Sequence, residues 1–264
     1  MSINDWSILP LTIADQQEHI DRSDVLLRTV EPGQSAALYW SAAAARGLVL
    51  GFSQKVETLN QEAIALKKIP VYRRRAGGTA VLVGPDLLGL DVVLPAGHPW
   101  ILADVVQSYQ WFGEAWVEAL RLLGVQARMV LPQEAHEQRA LLKQEETRER
   151  ESVLRRACYG SLSPYEVVVG QKKVVGFDMI RRRAGSLLQA GVLLHWESET
   201  LTQLLGKTIE EQAVLEAGLL ERAIGLDRLT GRTVSAAEVI AAFEQVVFLR
   251  VYETARRGDN CYGR

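Results

Sequence analysis

The segment that most constrains this chain runs from Cys158 to Leu194. The thiol of Cys158 stands in a turn rich in Gly, Ser and Pro, and two apolar strands follow it around a second, tight turn. A lysine pair, Lys172 and Lys173, lies on the second strand. This arrangement brings a nucleophile and a cation close together, so the preceding residues are expected to build a pocket in front of the thiol.

The composition is that of an ordinary globular protein and argues against several function classes. The chain has 264 residues, of which 48% are hydrophobic and 23% charged, enough to bury a large core. A formal net charge of −2 argues against a nucleic-acid partner. The N-terminus lacks a signal-peptide pattern, and no apolar run approaches the ~20 residues of a membrane span, so no membrane partner is expected. Two cysteines, Cys158 and Cys261, fit free thiols in a reducing cytoplasm.

Apolar periodicity and turn residues predict helices and strands along the chain. The clearest helix is predicted over residues 102–123, where Gly124 is placed to cap the C-terminus. A capping box of Ser235 and Glu238 predicts the start of the last helix. Other elements are predicted as helices at 13–28 and 60–68 and strands at 36–40, 47–52, 80–83, 88–94 and 125–131.

These elements predict an α/β (α+β) fold, a mixed β-sheet flanked by helices, in a single domain over residues 1–264. Its C-terminal segment, 199–256, is predicted to be helical. Residues 132–156 are dense in Glu, Arg, Gln and Lys, which is typical of a solvated helix or a mobile insertion. Because this charged insertion directly precedes Cys158, a role as a lid also remains open.

A second segment of functional interest is the basic run from Arg73 to Arg75, which is followed by Gly77 and Gly78. Without a Cβ, a glycine pair lets the backbone approach a ligand closely. The same residues also fit a hairpin with a glycine bulge beside a solvated arginine run. The residues alone leave both interpretations open.

Elimination leaves Cys158 as the residue most able to carry chemistry. The four histidines are scattered without ligand spacing, so no metal site is predicted. The sequence contains no Walker loop, no dinucleotide-binding fingerprint and no GxSxG elbow. From the residues alone, Cys158 is either an inert buried side chain or a nucleophile whose thiol pKa is lowered by nearby cations, namely Arg155, Arg156, Lys172 and Lys173.

Three stretches resemble the catalytic domain shared by biotin and lipoate protein ligases and octanoyltransferases. They are LYWSAAAARGLVLGFSQ, RRAGGTAVLV and KKVVG, and the resemblance runs from Leu38 to about Trp196. It implies the class II synthetase-like fold of that family. It also implies that Lys173 contacts the acyl carbonyl, and that an acyl-binding tunnel is formed around Arg74, Arg75, Gly77, Gly78, Thr79 and Gly176.

The stretch ACYGSLSPYEVVV is most similar to the cysteine-dependent octanoyltransferases of that family. The resemblance implies that Cys158 takes an octanoyl or lipoyl group from an acyl carrier protein, holds it as a thioester, and passes it to a lysine of an apo lipoyl domain. Lys173 would stabilise the oxyanion in both steps. This reaction is expected to need no cofactor.

The chain departs from the family pattern at several positions. Val83 stands where the family has a histidine, which removes an expected proton acceptor. Phe177 and Asp178 replace small residues, and Phe177 is expected to shorten the acyl chain that the tunnel holds. Ala76 and Thr79 also replace the commoner residues of the Gly-Gly loop.

Two other functions are compatible with the same resemblance. One is an ATP-dependent lipoate protein ligase with ATP and Mg as cofactors, in which the arginine run and Lys173 face phosphate and carbonyl groups. The other is a non-catalytic family member that binds a lipoyl domain.

Overall fold

The computed structural model describes residues 6–259, with side chains through residue 253. Its strands are β1 (Trp6–Ala14), β2 (Ala36–Ala43), β3 (Gly47–Leu50), β4 (Val71–Arg73), β5 (Val81–Val83), β6 (Leu87–Pro95), β7 (Arg128–Met129), β8 (Val167–Val169), β9 (Lys172–Arg181) and β10 (Gly185–Leu193). A seven-stranded sheet has the order β1-β2-β6-β10-β9-β8-β7, and only its β1–β2 pair is parallel among the described strands. A three-stranded sheet has the order β4-β3-β5.

The helices cover both faces of the large sheet. They are α1 (Gln16–Thr29), α2 (Gln61–Lys67), α3 (Gln110–Leu122), α4 (Pro132–Ala140), α5 (Glu145–Leu154), α6 (Glu199–Leu205), α7 (Ile209–Arg222), α8 (Leu226–Thr230) and α9 (Ala236–Asp259). Helices α3 and α9 pack together over one face, where Trp40, Phe112, Trp116 and Phe243 form the centre of the main core. The predicted fold class, a mixed sheet flanked by helices, is confirmed.

The opposite face of the large sheet is only partly covered by a helix. Helix α1 packs there against β2, β6 and β10, with Leu27 and Val30 on Val93 and Leu187. The small sheet has a separate core, which it shares with α5, α6 and α7. A space between the large sheet, α1 and the small sheet remains for the functional site.

The N-terminal prediction is corrected by the structure. Residues 6–14 form the edge strand β1, which the sequence did not predict, and α1 begins at Gln16 instead of residue 13. The side chain of Asp15 caps α1 by accepting a hydrogen bond from the amide of Gln17 at 2.8 Å. Pro10 is tolerated because it lies on an edge strand, at an irregularity in the β1–β2 register.

The predicted helix at 102–123 is also shorter than expected. Helix α3 begins only at Gln110, after a 3-10 turn over Gln107–Tyr109. The Ser108 hydroxyl lies 3.0 Å from the amide of Leu102 and 2.8 Å from the carbonyl of Asp104, and this local bonding holds the preceding residues in a loop. Gly124 follows the helix with φ +82°, as the predicted cap requires.

The charged insertion at 132–156 forms α4 and α5 and is not wholly solvated. The last turn of α5 is buried, with Val153 and Leu154 in the core under the small sheet. Glu151 is buried with them and pairs with Arg222 of α7 at 2.5 Å. The insertion therefore anchors the segment that leads directly into Cys158.

Helix α9 is the longest described helix, at 24 residues. Its start has the predicted capping box, since the Glu238 carboxylate accepts from the amide of Ser235 at 2.9 Å and the Glu238 amide donates to the Ser235 hydroxyl at 3.3 Å. Within residues 6–259, neither α9 nor another helix combines the length and apolar character needed to cross a membrane.

Candidate active site

A cavity of about 140 Å³ lies between the large sheet, α1 and the small sheet. Strands β2, β6, β10 and β9 form its floor, and β3 and β5 cover it with Val49, Val81 and Val83. Helix α1, which packs on β2, β6 and β10, borders it, and so do Cys158 and Tyr159, whose hydroxyl bonds Gly191 of β10. The cavity therefore connects the predicted nucleophile with the surface under α1.

Three glycines lie side by side on the floor of this cavity. Gly89, Gly191 and Gly176 are direct neighbours on β6, β10 and β9. A Cβ on Gly191 would lie 3.0 Å from the Tyr159 hydroxyl, and one on Gly176 would lie 3.7 Å from the Tyr159 ring. The Tyr159 hydroxyl donates to the carbonyl of Gly191 at 2.7 Å. Two of the glycines therefore make room for the Tyr159 ring, which ties the Cys158 turn to the sheet.

Cys158 begins a 3-10 turn after α5, and its amide donates to the carbonyl of Ala80 at 2.7 Å. The side chain is half-buried and borders the cavity. Burial raises the pKa of the thiol, and the cations Lys173 and Arg74 offset only part of that effect. The expectation of a lowered thiol pKa is thus corrected: desolvation outweighs the cations. Of the other predicted cations, Arg156 is held by Glu211 at 2.5 Å.

Lys173 is buried behind the Cys158 turn, with 1% of its surface exposed. Its ammonium donates to the backbone carbonyl of Cys158 at 2.9 Å and pairs with the Glu166 carboxylate at 2.8 Å. The Tyr159 ring centre lies 5.4 Å from the same nitrogen, within cation–π range. These contacts place a fixed positive charge beside the nucleophile, although Lys173 is not among the cavity-lining residues within 6–259.

Glu166 is a residue of this site that the sequence interpretation missed. Its carboxylate accepts from the amides of Ser163 at 2.7 Å and Phe177 at 3.1 Å, in addition to its pair with Lys173. It is 1% exposed. A buried carboxylate of this kind needs a cation and several donors. In the sequence, the only sign of this role was that Glu166 is an acidic residue directly before the apolar run of β8.

Arg74 organises the glycine loop that precedes β5. Its guanidinium pairs with Asp178 at 3.0 Å and donates to the carbonyls of Gly77 at 3.1 Å and Thr79 at 3.2 Å. Gly78 adopts φ +82°, a conformation that favours glycine. The loop packs against Gly51, where a Cβ would lie only 2.1 Å from the Gly78 carbonyl oxygen.

The structure brings only part of the predicted set to the cavity. Cys158, Arg74, Arg75 and Gly176 border it, whereas Gly77, Gly78 and Thr79 are absent from its lining among residues 6–259. Arg75 pairs with Asp24 of α1 at 2.7 Å. That the glycine loop lines an acyl-binding tunnel therefore stays a prediction.

Phe177 is one of the residues that border the cavity, but its ring packs into the main core. Side chains alternate along β9, so Phe177 lies on the face opposite Asp178. Its ring centre is 4.8 Å from that of Phe112 and 6.2 Å from that of Tyr109, at the main core under α3. This packing corrects the expectation that Phe177 shortens the acyl chain.

A row of polar side chains crosses the large sheet at the cavity, and Asp91, Gln189 and Asp178 of this row border the cavity. Tyr39, Asp91, Gln189 and Asp178 are direct neighbours on β2, β6, β10 and β9. Asp91 is 5% exposed and has no cationic partner among the described residues; burial raises the pKa of its carboxyl to about 6. Sequence signalled this residue only as a lone acid inside an apolar strand.

The hydrogen bonds around Asp91 fit a protonated carboxyl. Gln189 Nε2 donates to Asp91 Oδ1 at 2.8 Å, while Ser23 Oγ contacts Oδ2. The Ser23 hydroxyl also lies 2.8 Å from the carbonyl of His19, and it has one hydrogen for two acceptors. When Asp91 is ionised, Ser23 donates to it; when Asp91 carries a proton, that proton serves the contact and frees the Ser23 hydroxyl to donate to the carbonyl of His19.

An imidazole lies in this cavity, but at a different place from the family histidine. Val83 is buried against Ala43 and Val49 and makes the cover apolar. His19 of α1 borders the cavity; its Nε2 donates to the carbonyl of Ala42 at 3.0 Å, so its Nδ1 accepts from the Tyr39 hydroxyl at 2.8 Å. Both ring nitrogens are engaged, and His19 therefore holds α1 to β2.

The mixed sheet, the covered cavity and a cysteine backed by a buried lysine define an α/β domain with a candidate nucleophile at its cavity. The family described as the lipoyl protein ligase A/B catalytic domain matches residues 15–248, and the chain belongs to this family.

Curated relatives share moderate sequence identity over most of the chain. A protein from an Exiguobacterium species, named octanoyltransferase LipM, is 27% identical over 241 residues, which are 90% of this chain and 84% of the relative. A protein of the same name from Kyrpidia tusciae is 30% identical over 200 residues, which are 75% of this chain and 69% of the relative.

Solved structures show the same fold. A bi-partite lipoate protein ligase from Thermoplasma acidophilum, studied with its E2 lipoyl domain, superposes with a TM-score of 0.72 at 20% identity. The match covers 93% of this chain and 82% of that one.

Proposed function

We propose that this protein is a cysteine-dependent acyltransferase of protein lipoylation, which moves an octanoyl group to a lysine of a lipoyl domain. The observation that carries the proposal is the half-buried thiol of Cys158 at the cavity, with the Lys173 ammonium 2.9 Å from the Cys158 carbonyl. The octanoyltransferase name of the relatives supports the same activity. An octanoyl acyl carrier protein as donor and a cytoplasmic location remain predictions, and no cofactor enters the reaction.

The first half of the reaction loads Cys158. The thiol loses its proton, and its sulfur attacks the carbonyl carbon of the donor thioester. The carbon–sulfur bond to the donor breaks, and the donor sulfur leaves and takes up a proton. Lys173 favours the thiolate because its charge lowers the thiol pKa, although burial keeps that pKa raised overall.

The second half passes the acyl group to the lipoyl domain. A neutral lysine amine attacks the Cys158 thioester, an amide bond forms, and the Cys158 sulfur leaves as a thiolate that accepts the proton of the amine. The same fixed cation stabilises this leaving thiolate. Lys173 therefore assists both halves from one position.

The arginine run supports a transferase over an ATP-dependent ligase. Arg73 donates to the carbonyls of Gly51, Phe52 and Gln54, while Arg74 and Arg75 pair with Asp178 and Asp24. All three guanidinium groups thus bind protein atoms instead of facing a phosphate site. Release of pyrophosphate from ATP and lipoate would favour the ligase instead.

Intact-protein mass spectrometry tests the proposal. Incubation with octanoyl acyl carrier protein is expected to give one octanoyl adduct, which an apo lipoyl domain then removes. Cys158→Ala should form none, whereas Cys261→Ser, which lacks the other thiol, should load normally. An octanoyl adduct on Cys158→Ala would contradict the mechanism.

A further inference from the structure

A surface lined by arginines lies where the cavity reaches solvent. Arg75 borders the cavity, and its side chain is 58% exposed. It shares the Asp24 carboxylate with Arg28 of α1, at nitrogen–oxygen distances of 2.7 Å for Arg75 and 3.9 Å for Arg28. The side chain of Asp24 is only 12% exposed, whereas that of Arg28 is 67% exposed. Solvent therefore meets guanidinium groups here, with the carboxylate beneath them.

The turn between β9 and β10 adds two more arginines to this surface. Ile180 borders the cavity, and Arg182, two residues further along, lies on the same face of the sheet because side chains alternate. The turn abuts the end of α1, since a Cβ on Gly185 would lie 2.9 Å from the Val30 side chain. Arg182 and Arg183 are exposed, and neither makes a side-chain hydrogen bond or an ion pair within residues 6–253. Their charges are therefore available to a partner.

Phe52 supplies an apolar contact beside these charges, because its side chain is 68% exposed. Its amide donates to the carbonyl of Ala76 at 2.9 Å, and its own carbonyl accepts from Arg73 at 2.9 Å. Since Ala76 directly follows Arg75, these bonds hold Phe52 next to the arginines. Exposed aromatic and arginine side chains together are typical of protein interfaces. The arginine surface is defined as Arg28, Arg75, Arg182, Arg183 and Phe52.

The charge of the arginine surface suits an acidic partner. Asp24 is the one carboxylate that pairs with its guanidinium groups, among the residues whose side chains are described. Of the two proteins that the proposed reaction needs, the acceptor reacts through a lysine, whose ammonium group the arginines repel. The donor reacts through an uncharged thioester. The arginine surface therefore fits the donor better than the acceptor.

We propose that the arginine surface docks the protein that donates the acyl group, through a carboxylate-rich face of that protein and with Phe52 in apolar contact. Attraction between opposite charges speeds such an encounter and orients the two proteins. Docking here leaves the donor thioester at the opening that Arg75 borders. This inference rests on the proposed acyltransferase function and specifies how its donor is recognised.

Loading from two donors separates docking from chemistry. Octanoyl acyl carrier protein can use the arginine surface, whereas octanoyl-N-acetylcysteamine, a small thioester, has no protein face. In the variant Arg28→Gln/Arg182→Gln/Arg183→Gln, loading of Cys158 from the carrier protein at low concentration should slow about tenfold, because charges at an interface rim act mainly on the association rate. Loading from the small thioester should stay unchanged, which also shows that the variant is folded. Intact-protein mass spectrometry over time measures both rates.

Salt and a matched variant check the electrostatic origin of the effect. Raising the ionic strength should slow loading from the carrier protein in the unmodified protein and have little effect in the triple variant. Arg121→Gln/Arg148→Gln/Arg228→Gln is the matched control, because it removes three exposed arginines outside the arginine surface. It should load from the carrier protein at the unmodified rate.

Phe52→Ser tests the apolar contact. It should slow loading from the carrier protein about fivefold, as the loss of one interface anchor does, and leave loading from the small thioester unchanged. Leu66→Ser is the matched control, since Leu66 of α2 is 84% exposed and lies outside the arginine surface. It should change neither rate.

The outcomes separate the two proposals. Unchanged loading from the carrier protein in the arginine triple variant, or equal slowing with both donors, overturns the docking of the donor at this surface. Normal loading with slower transfer to the lipoyl domain would assign the surface to the acceptor and overturns it as well. If neither donor loads the unmodified protein, the acyltransferase function itself fails.

Discussion

Glu166 and Asp91 are two buried carboxyl groups close to one cavity, and they differ in their partners. Glu166, 1% exposed, pairs with the Lys173 ammonium at 2.8 Å and accepts from two backbone amides. Asp91, 5% exposed, makes its side-chain hydrogen bonds within residues 6–253 to the neutral groups of Ser23 and Gln189. A cation compensates the desolvation of one carboxylate, whereas the other carboxyl responds to burial with a raised pKa.

This difference in partners gives the two ends of one cavity different electrostatic environments. At the Cys158 side, the ion pair fixes a positive charge next to the sulfur that becomes negative. At the α1 side, Asp91 accepts a hydrogen bond from the Gln189 amide, and burial raises the pKa of its carboxyl to about 6. Breaking either arrangement has distinct consequences.

Glu166→Gln is expected to have the largest effect. It leaves the Lys173 ammonium buried without its counter-ion, which costs about 3–5 kcal/mol of unfolding free energy. Urea denaturation measures this loss. The exposed pair of Arg128 and Glu134 is the matched control, and Glu134→Gln should cost less than about 1 kcal/mol.

The double variant Glu166→Gln/Lys173→Met sharpens this prediction. It removes both charges, so much of the lost stability should return. Loading of Cys158 should remain slow, since the Lys173 charge is gone and only Arg74 still favours the thiolate. Equal instability of the single and double variants would contradict the role of the ion pair.

Asp91 should make the folded protein less stable as pH rises, whereas a salt-bridged acid makes it more stable. Its folded-state pKa of about 6 exceeds the unfolded value of ~3.9, so the folded protein binds more protons between these values. Unfolding free energy therefore falls as pH rises from about 4 to 6. The difference between the unmodified protein and Asp91→Asn should change by about 2 kcal/mol between pH 4 and pH 6. Urea unfolding at both pH values checks it; a constant difference would mean that Asp91 does not titrate there.

The rate of Cys158 loading should also depend on pH. Because burial raises the thiol pKa, the thiolate fraction, and hence the loading rate, should rise about tenfold per pH unit without a plateau below pH ~8.5. Quenched-flow mass spectrometry with octanoyl thioester measures this profile. A plateau near pH 7 would show that the cations outweigh burial.

Asp178→Asn is expected to have the smallest effect. The Asp178 carboxylate raises the pKa of Cys158, while its partner Arg74 keeps its bonds to the Gly77 and Thr79 carbonyls. Loading at pH 7 should accelerate by about two- to threefold with little change in stability. Slower loading would indicate that the Arg74 pair positions the glycine loop for the reaction.

The sequence by itself determined the fold class and the hairpin of β8 and β9, whereas the roles of Cys158 and Lys173 came from a family resemblance and stay predictions. These features follow from local signals: apolar periodicity, turn residues, capping residues and motifs that retain their order along the chain. The same locality explains the errors, since Pro10 obscured an edge strand and Ser108 delayed a helix that periodicity alone would start earlier.

Only the tertiary structure decided what surrounds those residues. Burial against distant strands raises the pKa of Cys158 despite its cations, and alternation on β9 turns Phe177 into the core and Asp178 toward Arg74. Glu166 and Asp91 have the same chemical group, and sequence cannot tell which one meets a cation. Strand register and helix packing decide that, because they determine which side chains share a buried volume.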